Sequence, residues 1–158
     1  MHPNSMKLMR YFKYKYLEDQ AATVLDIGSR RVKRGHQTYS RIFKPPYKYT
    51  GMDIEPGRNV DIVGYENIIG VYDVVVSGQV MEHVNRPWDW LKHLTKYFTK
   101  YICIIAPNTL REHKYPLDTY RYFPDGMRYL FSYAGIIELE IFKDGDDTIG
   151  IGAKQGEN

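Results

Sequence analysis

The sequence has little cysteine: one thiol, Cys103, in 158 residues. A single cysteine excludes a disulfide framework within the chain and a cysteine-built metal site. It lies inside the apolar run Tyr101-Ile102-Cys103-Ile104-Ile105, which reads as a buried strand. Long hydrophobic runs are also missing. No stretch reaches the ~20 apolar residues that a membrane span needs, and residues 1–20 contain no uninterrupted apolar segment of the signal-peptide kind. The expected compartment is therefore a reducing cytoplasm, with no membrane partner. Charge of one sign is scarce too: 22 basic side chains stand against 19 acidic ones, a net of +3. That excess is too small to argue for a nucleic-acid partner. Internal repeats and low-complexity blocks are absent.

The remaining composition is that of a globular chain, with 43% hydrophobic and 26% charged residues. Its length suits one domain with a real core. The 15 tyrosines could line a binding surface, and codon bias in the source genome would produce the same excess. We divide the chain into an N-terminal helix or arm (1–21), a main domain (22–153) and a disordered tail (154–158). Within the arm, residues 6–17 alternate Lys and Tyr. Such a face could touch a phosphate backbone, but the plainer reading is a solvated surface with half-buried tyrosines.

From Ala22 the pattern becomes that of short apolar strands. Thr23-Val24-Leu25-Asp26-Ile27-Gly28 reads as a buried parallel strand closing on a tight turn. Tyr49 to Asp53, Val60 to Val63 and Val71 to Gly78 read as three more strands, the last rich in β-branched residues. Pro87 then opens a helix through Trp88, Leu91, Leu94 and Phe98. Tyr101 to Ala106 predicts a fifth strand. Pro124-Asp125-Gly126 precedes a helix that Gly135 caps. Ile136 to Phe142 and Thr148 to Ile151 close the chain as two strands around Asp144-Gly145-Asp146-Asp147, a turn too short for a crossover, so they must be antiparallel. The expected fold class is α/β: a Rossmann-like, mostly parallel sheet with a C-terminal antiparallel hairpin.

In open α/β sheets ligands sit at the carboxyl ends of the strands. Asp26, Gly28 and Ser29 follow or end the first strand, where a glycine lets a ligand approach the backbone. An ordinary turn is the competing reading. Asp53 ends the second strand 25 positions past Gly28, and an acid there suits a bidentate bond to two ribose hydroxyls. Together the two strand ends favour a nucleoside-type ligand.

Three segments carry a family resemblance: Val24-Leu25-Asp26-Ile27-Gly28, Gly51-Met52-Asp53-Ile54, and Tyr72-Asp73-Val74-Val75-Val76-Ser77-Gly78-Gln79-Val80-Met81-Glu82-His83-Val84. They resemble class I S-adenosylmethionine-dependent methyltransferases of the broad type 11 group. The run from His113 through Asp118, Arg121 and Gly126 to Met127 is similar to a small-domain branch of that group. The resemblance implies S-adenosylmethionine as cofactor. Asp26 and Gly28 would then line its methionine end, with Ser29 in the same loop. Asp53 would hold the ribose, Ile54 would pack on the adenine, and Ser77, Gly78 and Gln79 would close over the sulfonium side. The chain departs from the pattern in three places. Arg30 replaces a loop glycine, the stretch between the second and third strands is cut to a turn, and Gly64-Tyr65-Glu66 stands where relatives carry an adenine-contacting aspartate. Glu66 is the candidate replacement.

Methyl transfer is an in-line displacement at an activated carbon, so alignment matters more than an exotic reactive group. A base is needed only when the acceptor must lose a proton. The acceptor-side candidates are His83, after the fourth strand, and His113, Asp118 and Arg121 in the long connection between Pro107 and Pro124. Connections of that length are usually functional. His113 and Arg121 are expected to face the acceptor, with Asp118 orienting one of them. An internal Asp118–Arg121 ion pair that merely holds the loop is the alternative. Gln79, Glu82 and His83 partly resemble a carboxylate–histidine metal site of some quinone O-methyltransferases, but the first carboxylate is Gln here, so no metal is expected. The reading is methyl transfer to a small-molecule or glycan-type acceptor. The alternatives are a binding or scaffold protein on the same fold, and a nucleic-acid methyltransferase that uses the arm.

Overall fold

The structure, a computed structural model, describes residues 2–114 and 116–156. A seven-stranded sheet runs in the order β3-β2-β1-β4-β5-β7-β6. Its strands are β1 (Thr23–Ile27), β2 (Lys48–Asp53), β3 (Ile62–Val63), β4 (Tyr72–Gly78), β5 (Phe98–Pro107), β6 (Ile136–Asp144) and β7 (Asp147–Lys154). The first five pair in parallel. β7 inserts antiparallel between β5 and β6. Strand order reverses between β1 and β4, and the crevice at that reversal is where an α/β sheet accepts a ligand.

The central strands are apolar on both faces because both faces are covered. Leu25, Val75, Ile102 and Ile104 face one core, under α2 (Pro87–Leu94) and α3 (Pro124–Ala134). Their neighbours Val24, Val74, Val76, Cys103 and Ile105 face the other, under α1 (Pro3–Phe12) and the segment carrying Tyr39, Phe43 and Tyr47. This period-2 division is the strand geometry itself. Each of the three helices starts with proline, whose missing N–H costs nothing at the first turn. Gly135, at φ 74°, ends α3 in the left-handed region.

The arm at the N-terminus is a helix that belongs to the core. Met6, Leu8, Met9 and Phe12 are buried, and a wide turn, Lys13–Leu17, follows. Its three lysines meet the chain's own acids: Lys7 pairs with Asp144, Lys13 with Asp19 and Lys15 with Glu140.

Several boundaries differ from expectation. The helix expected to reach Phe98 stops at Leu94, and Phe98 opens β5. Phe98 is buried with α2 all the same, so the helical spacing reported a shared core and not a continuous helix. β6 and β7 are longer than predicted, and Lys154, placed in the tail, pairs with Ile136. Residues 157–158 of the expected tail lie outside the described residues. No α-helix follows Gly28. Among the described residues, the only helical turn in the crossover to β2 is the short one at Tyr39–Arg41.

Candidate active site

The strand ends form one wall of a cleft of about 930 Å³, within the range of small-molecule sites. Gly28 (after β1), Asp53 and Ile54 (end of β2), and Gly78 and Gln79 (end of β4) lie on this wall. Gly28 has φ +80°, and a Cβ there would meet Val80 Cγ2 at 2.2 Å. Only glycine fits both the backbone and the space. Ser29 is also on the wall, and its hydroxyl donates to the Asn59 carbonyl at 2.7 Å.

Asp53 is fixed by backbone donors. Its Oδ2 accepts from the Arg30 N–H and its Oδ1 from the Glu55 N–H, both at 3.1 Å. Arg30 leans toward the same carboxylate at 3.8 Å and pairs with Glu55 at 2.7 Å. The arginine that replaces a loop glycine is thus tied to the acids at the end of β2. Ile54 is 70% exposed at the strand tip, an apolar surface turned to the cleft.

Two expected cofactor contacts are not on the wall. Ser77 is buried, and its hydroxyl donates to the Ile27 carbonyl at 2.8 Å, bridging β4 to β1. Asp26 is fully buried; its Oδ2 accepts from the Tyr49 hydroxyl at 2.6 Å. Tyr49 in turn accepts from Asn59, whose amide also donates to the Ser29 carbonyl at 2.9 Å. Asp26 therefore acts on the glycine loop from behind, through Tyr49 and Asn59. Burial pushes its carboxyl up to about 7, reinforced by the nearby Asp53 charge. Glu66 is also off the wall. Tyr65 is there instead, its hydroxyl accepting from the Trp90 indole at 2.7 Å.

His83 and His113 also line the cleft. His83 follows β4 on a short turn, Met81–His83, and its Nδ1 is bonded to the Leu117 carbonyl. The long connection is clipped to this turn by Thr119, whose N–H and hydroxyl both donate to the Glu82 carbonyl, at 2.7 and 2.9 Å. Arg121 and Asp118 do not face the cleft. Arg121 binds Asp118 bidentately at 2.5 and 2.7 Å and donates to the Leu110 carbonyl. Asp118 accepts the His113 N–H at 2.6 Å, and the guanidinium holds its carboxyl well below the usual range. The expectation that Arg121 meets an acceptor is corrected: its donors are used within the loop, and the pair positions His113. Tyr115, in the same connection, lies outside the described residues.

Between the two histidines sits Glu82, fully buried, with neither carboxylate oxygen hydrogen-bonded among the described residues. Its Oε1 is 3.6 Å from Nε2 of both His83 and His113. This carboxylate holds the His113 imidazole above its ordinary value.

No family model matches the sequence, and no curated protein matches it significantly. Solved structures do. Magnesium protoporphyrin IX methyltransferase (ChlM) from Synechocystis PCC 6803, with bound SAM, superposes over 96% of this chain and 79% of its own at TM-score 0.68 and 12% identity. This chain has the class I methyltransferase fold. Two further solved structures share the fold. The N-terminal domain of EvdMO1, in the presence of SAH and D-fucose, covers 98% of this chain and 84% of its own at TM-score 0.63 and 18% identity. A SAM-dependent methyltransferase from Aquifex aeolicus covers 97% and 98% at TM-score 0.60 and 19% identity. On this fold the cleft lies at the switch point between β1 and β4.

Among the cleft-lining residues that sequence reasoning missed are His2, Tyr65 and Trp90. His2 reaches the cleft from the N-terminus and lies 3.0 Å from Gln79 Oε1. Gln79 also donates to Asp147 at 2.8 Å, so the N-terminal segment and the β6–β7 turn both meet the end of β4 there. Nothing local to His2 signals this, because α1 is placed by packing. Trp90 lies in the helix that Pro87 opens and Tyr65 in the Gly64-Tyr65-Glu66 departure, and nothing local to either pairs them.

Proposed function

We propose that this protein transfers the methyl group of S-adenosylmethionine to a small-molecule or glycan-type acceptor. The observation that carries the reading is convergence: Gly28, Asp53, Ile54 and Gly78 come from three strand ends to one cleft, and two histidines line the same cleft. The residues fit the cofactor's parts. Asp53 keeps carboxylate lone pairs beyond its two backbone bonds, as two ribose hydroxyls require. Ile54 offers an apolar face for a purine, and Gly28 lets the methionine end lie against backbone. Neighbours with SAM or SAH bound support the same cofactor, and the EvdMO1 domain studied with D-fucose supports a sugar-like acceptor.

When bound, the cofactor supplies a methyl carbon activated by a positive sulfur. The chain's own task is alignment and exclusion of water. The loop held by Asp118 and Arg121 brings His113 over the cleft, and the Thr119 clip fixes its approach. Asp26 has a positioning role in keeping the glycine loop in shape, and Ser77 one in keeping β4 level with β1.

Calorimetry with S-adenosylmethionine tests the reading. Saturable binding is expected, weakened by one to two orders of magnitude in Asp53→Ala, since charge-assisted bonds contribute about 1.5–3 kcal/mol each. No binding at millimolar cofactor would remove the proposal. A binding protein without turnover is the second reading, favoured by the Arg30 contacts to Asp53 and Glu55. Methyl transfer from labelled cofactor into a cell extract ends it. The nucleic-acid reading gains no support from the arm, where Lys7, Lys13 and Lys15 already pair with carboxylates of the chain.

A further inference from the structure

We propose that Glu82, His83 and His113 bind a first-row divalent metal ion of the zinc or cobalt kind on the acceptor side of the cleft. One ligand atom from each lies within 4.8 Å of the others. The Glu82 oxygen is 3.6 Å from each histidine Nε2. Ligands about 2.0–2.1 Å from a tetrahedral metal are separated by about 3.4 Å, so the cluster is close to closing on an ion without rebuilding the backbone.

The hydrogen-bond pattern makes the case. His83 turns Nδ1 to the Leu117 carbonyl, and His113 turns Nδ1 toward the Arg111 carbonyl at 3.3 Å and the Asp118 carboxylate at 3.5 Å. A neutral histidine so held carries its proton on Nδ1 and its lone pair on Nε2. This is the outer-shell arrangement that orients metal-bound imidazoles. Two nitrogen lone pairs and a carboxylate then converge with no donor among them. Glu82 is fully buried and its carboxylate accepts no hydrogen bond among the described residues, and a buried carboxylate needs a compensating cation. A proton on one imidazole would supply a single charge. A divalent ion would satisfy all three atoms at once.

The donor set selects the metal class. Two imidazoles and one carboxylate suit zinc, cobalt or ferrous iron better than magnesium or calcium, which favour oxygen alone. Three protein ligands leave coordination positions open, the signature of a catalytic and not a structural site. His83 and His113 line the cleft, so the open positions would face an acceptor. An acceptor with two adjacent oxygens, such as a vicinal diol, is the chemistry such an ion would orient. That role rests on the methyl-transfer reading, whereas metal binding itself does not. The site also differs from the partial pattern in the sequence: Gln79 turns away to Asp147 and His2, and the third ligand comes from the long connection.

The test uses the full chain, stripped with chelator and titrated with Co²⁺ in the absence of S-adenosylmethionine. One equivalent should bind and produce visible d–d absorption of a four- or five-coordinate site. Glu82→Gln and His113→Ala should each weaken binding by on the order of 100-fold or more, while His93→Ala, on α2, should leave it unchanged. If Glu82→Gln does not fold, His113→Ala at its part-exposed position decides alone. No stoichiometric binding, or binding that survives loss of His113, overturns the proposal. Calorimetry with S-adenosylmethionine on the same stripped protein separates this failure from failure of the cofactor reading.

Discussion

Asp26 gives a stability experiment whose size follows from its surroundings. The carboxyl is fully buried in β1 and receives one hydrogen bond, from Tyr49 at 2.6 Å. Its second oxygen has no partner among the described residues. Desolvation therefore disfavours the charged form and pushes the group from 3.8 up to about 7. Below about pH 4 both folded and unfolded chains hold the proton, and this contribution to stability is fully present. Between about 4 and 7 the unfolded chain releases the proton while the folded chain keeps it, so stability falls as pH rises. Above about 7 both are ionised and the loss is complete. Three pK units at 1.36 kcal/mol each correspond to about 4 kcal/mol across that window. Asp26→Asn is neutral throughout, nearly isosteric, and still offers Tyr49 an acceptor. Urea unfolding of both proteins at pH 4.5, 6 and 7.5 isolates the effect, because every other group titrates in both. The variant should gain on the wild type by about 3 kcal/mol between pH 4.5 and 7.5, since about 1 kcal/mol of the loss is already present at pH 4.5. A difference that stays constant within about 1 kcal/mol would mean that Asp26 is ionised in the fold and would falsify the buried, proton-retaining carboxyl.

Other substitutions test the site. Gly28→Ala puts a Cβ 2.2 Å from Val80 at φ +80°; a loss of stability of about 1–3 kcal/mol is expected, with S-adenosylmethionine binding lost even where the variant folds, as calorimetry would show. Asp118→Asn removes the charge that Arg121 and the His113 N–H share. It should raise proteolytic sensitivity between residues 108 and 123 while changing cofactor affinity little, and an unchanged cleavage rate would remove the claim that this pair holds the loop.

Much of this organisation was legible in the chain. Val24-Leu25-Asp26-Ile27-Gly28 and Tyr72 to Gly78 are short apolar runs that alternate between two cores, the pattern of central parallel strands covered on both faces. The turn at Asp144–Asp147 was too short for anything but an antiparallel return. Boundaries were less legible. Leu94 and Phe98 have helical spacing, yet a helix and a strand that meet in one core can share it. In the site, Gly28 and Asp53 were legible because a strand end fixes where its last residues go.

Residues whose position depends on distant packing were not legible. His2 reaches Gln79 because Met6, Met9 and Phe12 seat α1 on the sheet. Arg121 turned from the cleft because carbonyls of its own loop and Asp118 use its donors. Local sequence determined the sheet, its hairpin and the strand tips, since pleat, burial and turn length act over a few residues. Only the tertiary structure decided that Asp26 lies behind the glycine loop, and that a buried Glu82 stands between histidines 30 positions apart. Those relations arise from the fold bringing separate segments together, and no short stretch of sequence contains them.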